Sequence, residues 1–133
     1  MGDRQYRLVR TAAALADLSA IRNYTLQNFG EAAWRSYTAL LRQSFKDIRD
    51  DPYRPGSKER PEIGEGVRSY HISHSRTRAQ AGVKAARHFL LYYLPQEADI
   101  VISRVLHDAR DLARHVPEDD IERAKAFRPT RDL

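Results

Sequence analysis

The sequence predicts an α+β fold. An N-terminal strand and an antiparallel two-helix hairpin pack on one face of a small antiparallel sheet, followed by a short C-terminal helix and a tail. Three observations predict this. Apolar residues recur every three or four positions through the first half of the chain. They alternate in short runs through the second half. The two kinds of segment are segregated rather than interleaved, which favours α+β over a doubly wound sheet.

Tyr6 to Arg10 alternates as an opening strand, and Thr11 is a good N-cap because its hydroxyl can accept an orphan helix N–H. From Ala12 to Phe29 the residues Leu15, Leu18, Ile21, Thr25 and Phe29 form one helical stripe, and Gly30 closes that helix as a left-handed residue would. A second helix begins near Glu31, with Trp34, Tyr37, Leu41, Phe45 and Ile48 at helical spacing. The connection at Gly30 is short enough to force antiparallel packing. Asp50-Asp51-Pro52 stops it, and Tyr53 to Glu62 reads as a loop punctuated by proline and glycine. Strands follow over Gly66–Ser73, Arg87–Leu94 and Ile100–Leu106, separated by a basic, small-residue segment (Ser75–Ala86) and a turn (Pro95–Asp99). Residues 108–115 have room for one or two helical turns, which Pro117 ends. The expected organisation is one domain over residues 1–117 and a charged tail over 118–133.

At 133 residues, 41% hydrophobic and 31% charged, the chain fits a single globular domain. No run approaches the roughly 20 apolar residues of a membrane span. The N-terminus carries no apolar signal core, so the expected location is cytoplasmic. There is no cysteine, which excludes disulfides, thiol nucleophiles and thiolate metal sites; no cofactor is expected. The net charge of +5 is nearly all arginine, since lysine occurs only at positions 46, 58, 84 and 125. That balance suits nucleic acid, a nucleic-acid-bound machine or an acidic protein partner, and equally an ordinary solvated surface.

Order and spacing of short motifs carry a resemblance. Asp17-Leu18, Ile21 and Tyr24 open the first helix; Gly30, Ala33 and Tyr37 follow at its turn; Leu40, Ile48, Pro52 and Gly56 continue through the second helix and its exit loop. Gly66-Val67-Arg68-Ser69-Tyr70 and Arg104-Val105-Leu106-His107 close the pattern. Over roughly Arg7 to Val116 this resembles the ParE toxins of the RelE/ParE superfamily of bacterial toxin–antitoxin systems. The resemblance implies a toxin that binds and inhibits DNA gyrase without being an enzyme. It also implies neutralisation by a ParD-like antitoxin with a ribbon-helix-helix end, through which alone the complex meets DNA. Two departures bear on target choice: Ser75–Ala86 is longer than the family's tight connection, and the tail after Pro117 exceeds its short end.

Candidate site residues are weighed on that background. His107, with Arg104 and Arg68, suits a general acid or base beside phosphate-stabilising guanidinium groups. That set belongs to the alternative reading, a ribosome-dependent mRNA endonuclease of the RelE type. The structural alternative is a strand-end histidine pinned by Asp111 or a backbone carbonyl. Arg68 and Arg104 together make either an anion site or a pair of edge charges. His71 and His74 suggest a metal pair, but i, i+3 on an extended strand sends them to opposite faces. The strand Arg87–Leu94 is apolar on both faces, more than two helices cover, so one face is expected to be exposed and to mark a partner site. The expected antitoxin-binding residues are Leu90, Tyr92, Leu94, Ile100 and Ile102, with Arg68 and Arg104.

Overall fold

The computed structural model describes residues 6–109. The elements run β1 (Arg7–Arg10), α1 (Ala12–Asp50), β2 (Lys58–Glu59), β3 (Arg68–His71), a 3-10 turn (Ile72–Ser75), a single-turn α2 (Arg76–Ala79), β4 (His88–Gln96) and β5 (Asp99–His107). Five strands form one sheet among the described residues, in the order β1-β5-β4-β3-β2. The α+β class holds. One expectation is corrected: the sheet is mixed, because β1 lies parallel to β5 while the other pairs are antiparallel. The short C-terminal helix and the tail fall outside the described residues, except that 108–109 form a turn.

Thr11 starts α1 as expected. Its hydroxyl accepts the Ala14 N–H at 3.0 Å and donates to the Ser103 carbonyl at 2.9 Å, so one side chain caps the helix and ties it to β5. α1 is broken at Gly30, where φ is 88° and ψ is 179°. The positive φ fits the expectation, but this ψ is extended rather than left-handed helical, a region essentially reserved for glycine. A Cβ at Gly30 would meet nothing within 4 Å, so only the backbone objects to a side chain there. Gly30→Ala is expected to cost about 1–3 kcal/mol, read from the urea midpoint.

Both halves of α1 feed one core. Ala14 and Ile21 from the first half, and Leu40, Leu41 and Ile48 from the second, cluster with Leu90, Tyr92, Ile100, Ile102 and Val105 of the sheet. Leu94 packs against this cluster, half-buried. Asp51 caps the helix C-terminus, its N–H donating to the Asp47 carbonyl. The opposite face of the sheet is also closed. Leu91 and Leu106 are buried with Val67, and Ile63 packs on them from the turn that follows β2. Val9, Tyr93 and Val101 form a third cluster.

This overturns the expected exposed apolar face. Leu90, Tyr92, Ile100 and Ile102 are 0% exposed, and so is Leu91 on the other side. The helices sit on the very residues expected to meet a partner, and the β2–β3 connection folds back to help cover the far side. Three further elements were not expected. β2 is a two-residue strand inside the predicted loop, the 3-10 turn begins within the end of the predicted strand Gly66–Ser73, and α2 lies in the basic segment that follows. β4 runs on through Pro95, which is accommodated at a register shift between Tyr93 and Gln96.

Candidate functional site

β1 pairs with β5 only as far as Ile102. Beyond that point the β5 edge is occupied by α1. The Asp17 carboxylate accepts the Val105 N–H at 2.9 Å and grips Arg104 through Nε at 2.7 Å and Nη2 at 2.9 Å. A bidentate charged pair of this kind is geometrically specific. The Asp-Leu pair of the first helix is thereby explained: Leu18 packs on the core while Asp17 closes the strand edge.

Arg68 is held elsewhere. It lies opposite Tyr92 on β3, donates to the Ser57 hydroxyl at 2.8 Å, pairs with Glu59 at 3.7 Å and lies 4.9 Å from the centre of the Tyr53 ring. β4 runs between β3 and β5, so Arg68 and Arg104 do not share one anion site, the first of the two readings left open by the sequence. The Ser57 hydroxyl also bonds that of Tyr92, which donates to the Pro52 carbonyl at 2.6 Å. Tyr92 is therefore the buried anchor of the loop after α1, not a partner contact.

His107 ends β5 with its side chain 46% exposed, and its Nδ1 accepts the Ala109 N–H at 3.0 Å. It joins a cluster the sequence reading missed in part. Antiparallel register brings His71 of β3, His88 of β4 and His107 of β5 to one end of the sheet, with His88 directly opposite His107. The His88 and His107 rings meet edge-on at 5.3 Å. Histidines at consecutive strand ends were the available signal. His71 Nε2 lies 3.0 Å from the Asp108 carboxylate, and its Nδ1 accepts the Ser73 N–H at 3.2 Å. The imidazole therefore carries its proton on Nε2 and donates it to Asp108. The Tyr37 hydroxyl accepts the Arg87 N–H at 3.1 Å and shares a hydrogen bond with His88 Nδ1 at 2.6 Å.

His71 and His74 do not point to opposite faces. The strand ends at His71 and the chain turns through Ile72–Ser75, so both line one cleft beside β2 and β3. No group of three or more His, Asp or Glu able to hold a metal ion occurs among the described residues. No helix among them is long and apolar enough to cross a membrane.

The sequence model described as "ParE toxin of type II toxin-antitoxin system, parDE" matches residues 8–112. The chain belongs to this family of ParE toxins. Among solved structures, a chain of the "Chromosomal ParDE TA system from P. aeruginosa" superposes with a TM-score of 0.58 at 17% identity, covering 79% of this chain and 98% of that one. At that identity the likeness speaks for the fold. No curated protein matches the sequence. The described ParE elements span most of the matched region, and Asp17, Gly30 and Arg104 each have a structural task within it.

The histidine cluster gives this ParE toxin a defined response to acid. Burial, and then the neighbouring charge of His107, push the His88 imidazole down to about 4. An unfolded histidine protonates near 6.5. Between these values the unfolded state binds the extra proton, so stability falls as pH drops from about 6.5 to 4. The loss is expected to reach about 3 kcal/mol, and His88→Gln should flatten it in urea titrations at stepped pH. Asp108 acts in the same direction at lower pH. Burial pushes its carboxyl up, but the hydrogen bond and charge of His71, with His107 and Arg87, hold it below the usual range.

Proposed function

We propose that this toxin acts by binding DNA gyrase rather than by cleaving a substrate, and that a ParD-like ribbon-helix-helix antitoxin neutralises it in the cytoplasm. The family match over residues 8–112 carries the reading. The solved relative bears a ParDE title, which fits an antitoxin of the ParD kind. The site geometry supports binding over catalysis: Arg104 is gripped by Asp17, Arg68 is held by Ser57 and Glu59, and neither converges on His107. His107 offers proton transfer without the arginine partners that cleavage of a phosphodiester needs.

In this reading the two halves of α1 form the antiparallel hairpin of the family. Contact with DNA runs only through the antitoxin. The antitoxin's apolar residues meet Leu15, Tyr24 and Phe29, the large side chains that α1 leaves 43%, 61% and 67% exposed, together with half-buried Leu94. Tyr24 and Phe29 stack edge-on at 6.2 Å next to the Gly30 break, so they already form a small aromatic knob.

The test adds purified protein to gyrase supercoiling reactions and, in parallel, to translating ribosomes with a primer-extension readout. Loss of supercoiling or linearised plasmid, reversed by the ParD-like partner, is expected. Codon-specific mRNA breaks that vanish in His107→Ala would replace this reading with the endonuclease one. For the antitoxin surface, the double substitution Tyr24→Glu, Phe29→Glu is expected to weaken partner affinity at least tenfold. Unchanged affinity would move the contact off α1.

A further inference from the structure

We propose that the cleft between the β2–β3 hairpin and the 3-10 turn binds the phosphate group of a nucleotide. The cleft encloses about 340 Å³. That is nucleotide-sized, at the small end of ordinary ligand pockets and far larger than a lone ion needs. Its polar lining is cationic or neutral: Lys58, Arg60, His71 and His74, with the hydroxyls of Ser69 and Ser73, and no carboxylate among the lining residues. Phe89 supplies an apolar wall.

Each basic group is set in place by something other than a ligand. Lys58 stands on β2 opposite Ser69 of β3, exposed, with no ion pair among the described residues. Arg60 is steered over the Phe89 ring, 5.7 Å from its centre, by donating Nε to the Ser69 hydroxyl at 2.8 Å. Among the described residues its carboxylate partner is Glu62 at 3.5 Å, which is 56% exposed and solvated. His71 is fixed between Asp108 and Ser73. His74 lies against Gly56, where a Cβ would come within 2.8 Å of the ring, so a glycine with φ of 99° is what lets the imidazole line the cleft.

The positive field is registered by His74 itself. Burial first, then the charges of His71, Lys58 and Arg54, hold its pKa below the ordinary value. An arginine fork, a lysine and serine hydroxyls, with the solvated Glu62 as the arginine's carboxylate neighbour, form a donor set suited to the several oxygens of a phosphate. The net charge of +5 favours approach of polyanions to the chain as a whole.

The experiment titrates the full chain at low salt with inorganic phosphate, adenosine monophosphate and a short single-stranded oligonucleotide, read by calorimetry. Saturable binding of at least one probe is expected. Lys58→Ala should weaken it about tenfold, as loss of one charged hydrogen bond does, and His74→Gln should weaken it less. Lys46→Ala removes a charge of the same sign on α1, paired with Asp50 at 2.7 Å, and should leave binding unchanged. Preference for the mononucleotide points to a free nucleotide, and tighter oligonucleotide binding points to a strand; either upholds the phosphate site. Failure of all three probes, or equal weakening by the Lys46 and Lys58 changes, overturns it. Gyrase assays are read separately, so neither result decides the other.

Discussion

Leu90→Glu is expected to abolish the folded state rather than to weaken a partner. Leu90 is 0% exposed and sits where both halves of α1 meet the sheet, among Ile21, Leu40, Ile48 and Val105. A carboxylate there would be set among the apolar side chains of the core. Burying it uncompensated, together with the lost apolar contacts, costs at least about 4 kcal/mol, a large part of the 5–15 kcal/mol that holds a domain together. Circular dichroism and urea titration should show no cooperative transition, or one shifted to very low denaturant. Leu94→Glu at the half-buried rim should remain folded, with a loss of about 1–2 kcal/mol. The pair of variants is diagnostic. If Leu90→Glu folds normally and only fails to bind a partner, α1 does not cover this face and the core described above is misassigned.

That contrast shows where the sequence was legible. Helical and strand periods read well: the Thr11 cap, the break at Gly30, the stop at Asp51 and the strands β3, β4 and β5 all lie within a few residues of expectation. Alternation also identified β4 as apolar on both faces. It could not say what covers them. Leu91 and Leu106 are met by Val67, from the start of the next expected strand, and by Ile63, between that strand and the expected loop, and neither position announces which face it covers. The parallel pairing of β1 with β5 was equally hidden, because it joins residues 92 apart with no turn to announce it. The histidine cluster had a signal that went unused: strand-end histidines fall into one row once the register is known. The cleft had none, because it depends on the chain leaving the extended conformation at Ile72, and Ile72-Ser73-His74-Ser75 continues an alternating pattern to the eye.

Charge pairing followed the same rule. Asp17 reads from the sequence as a wet-side residue of the first helix. In the fold it replaces a strand neighbour, completing the β5 edge where β1 runs out and fixing Arg104 in the process. The Arg104 guanidinium is thereby taken up by the Asp17 carboxylate.

Asp47→Ala is expected to be nearly as damaging as the core charge, by a different route. Asp47 is 0% exposed on the second half of α1. Its carboxylate accepts from the Ser75 hydroxyl at 2.6 Å and from Gln43 Nε2 at 2.9 Å, with Arg54 at 3.7 Å and Arg78 at 3.6 Å completing the charge balance. Ser75 in turn accepts from the buried Tyr70 hydroxyl at 2.8 Å. This one carboxylate therefore ties the long β3–β4 connection, the segment that departs from the usual tight turn, to the helix. Removing it leaves Arg54 largely buried without its counter-charge and the Ser75 hydroxyl short of its acceptor, a loss of about 3–5 kcal/mol. Asp47→Asn keeps the shape and one acceptor and should lose less, while Ser75→Ala should lose about 1–2 kcal/mol. The cut sites of a limiting protease distinguish a local from a global effect. If Asp47 acts as an anchor, cleavage in Asp47→Ala should begin within residues 72–86 before the sheet is attacked. The 3-10 turn that carries His74 would loosen with that segment, so the phosphate cleft should weaken in step with the anchor even though Asp47 lies outside it.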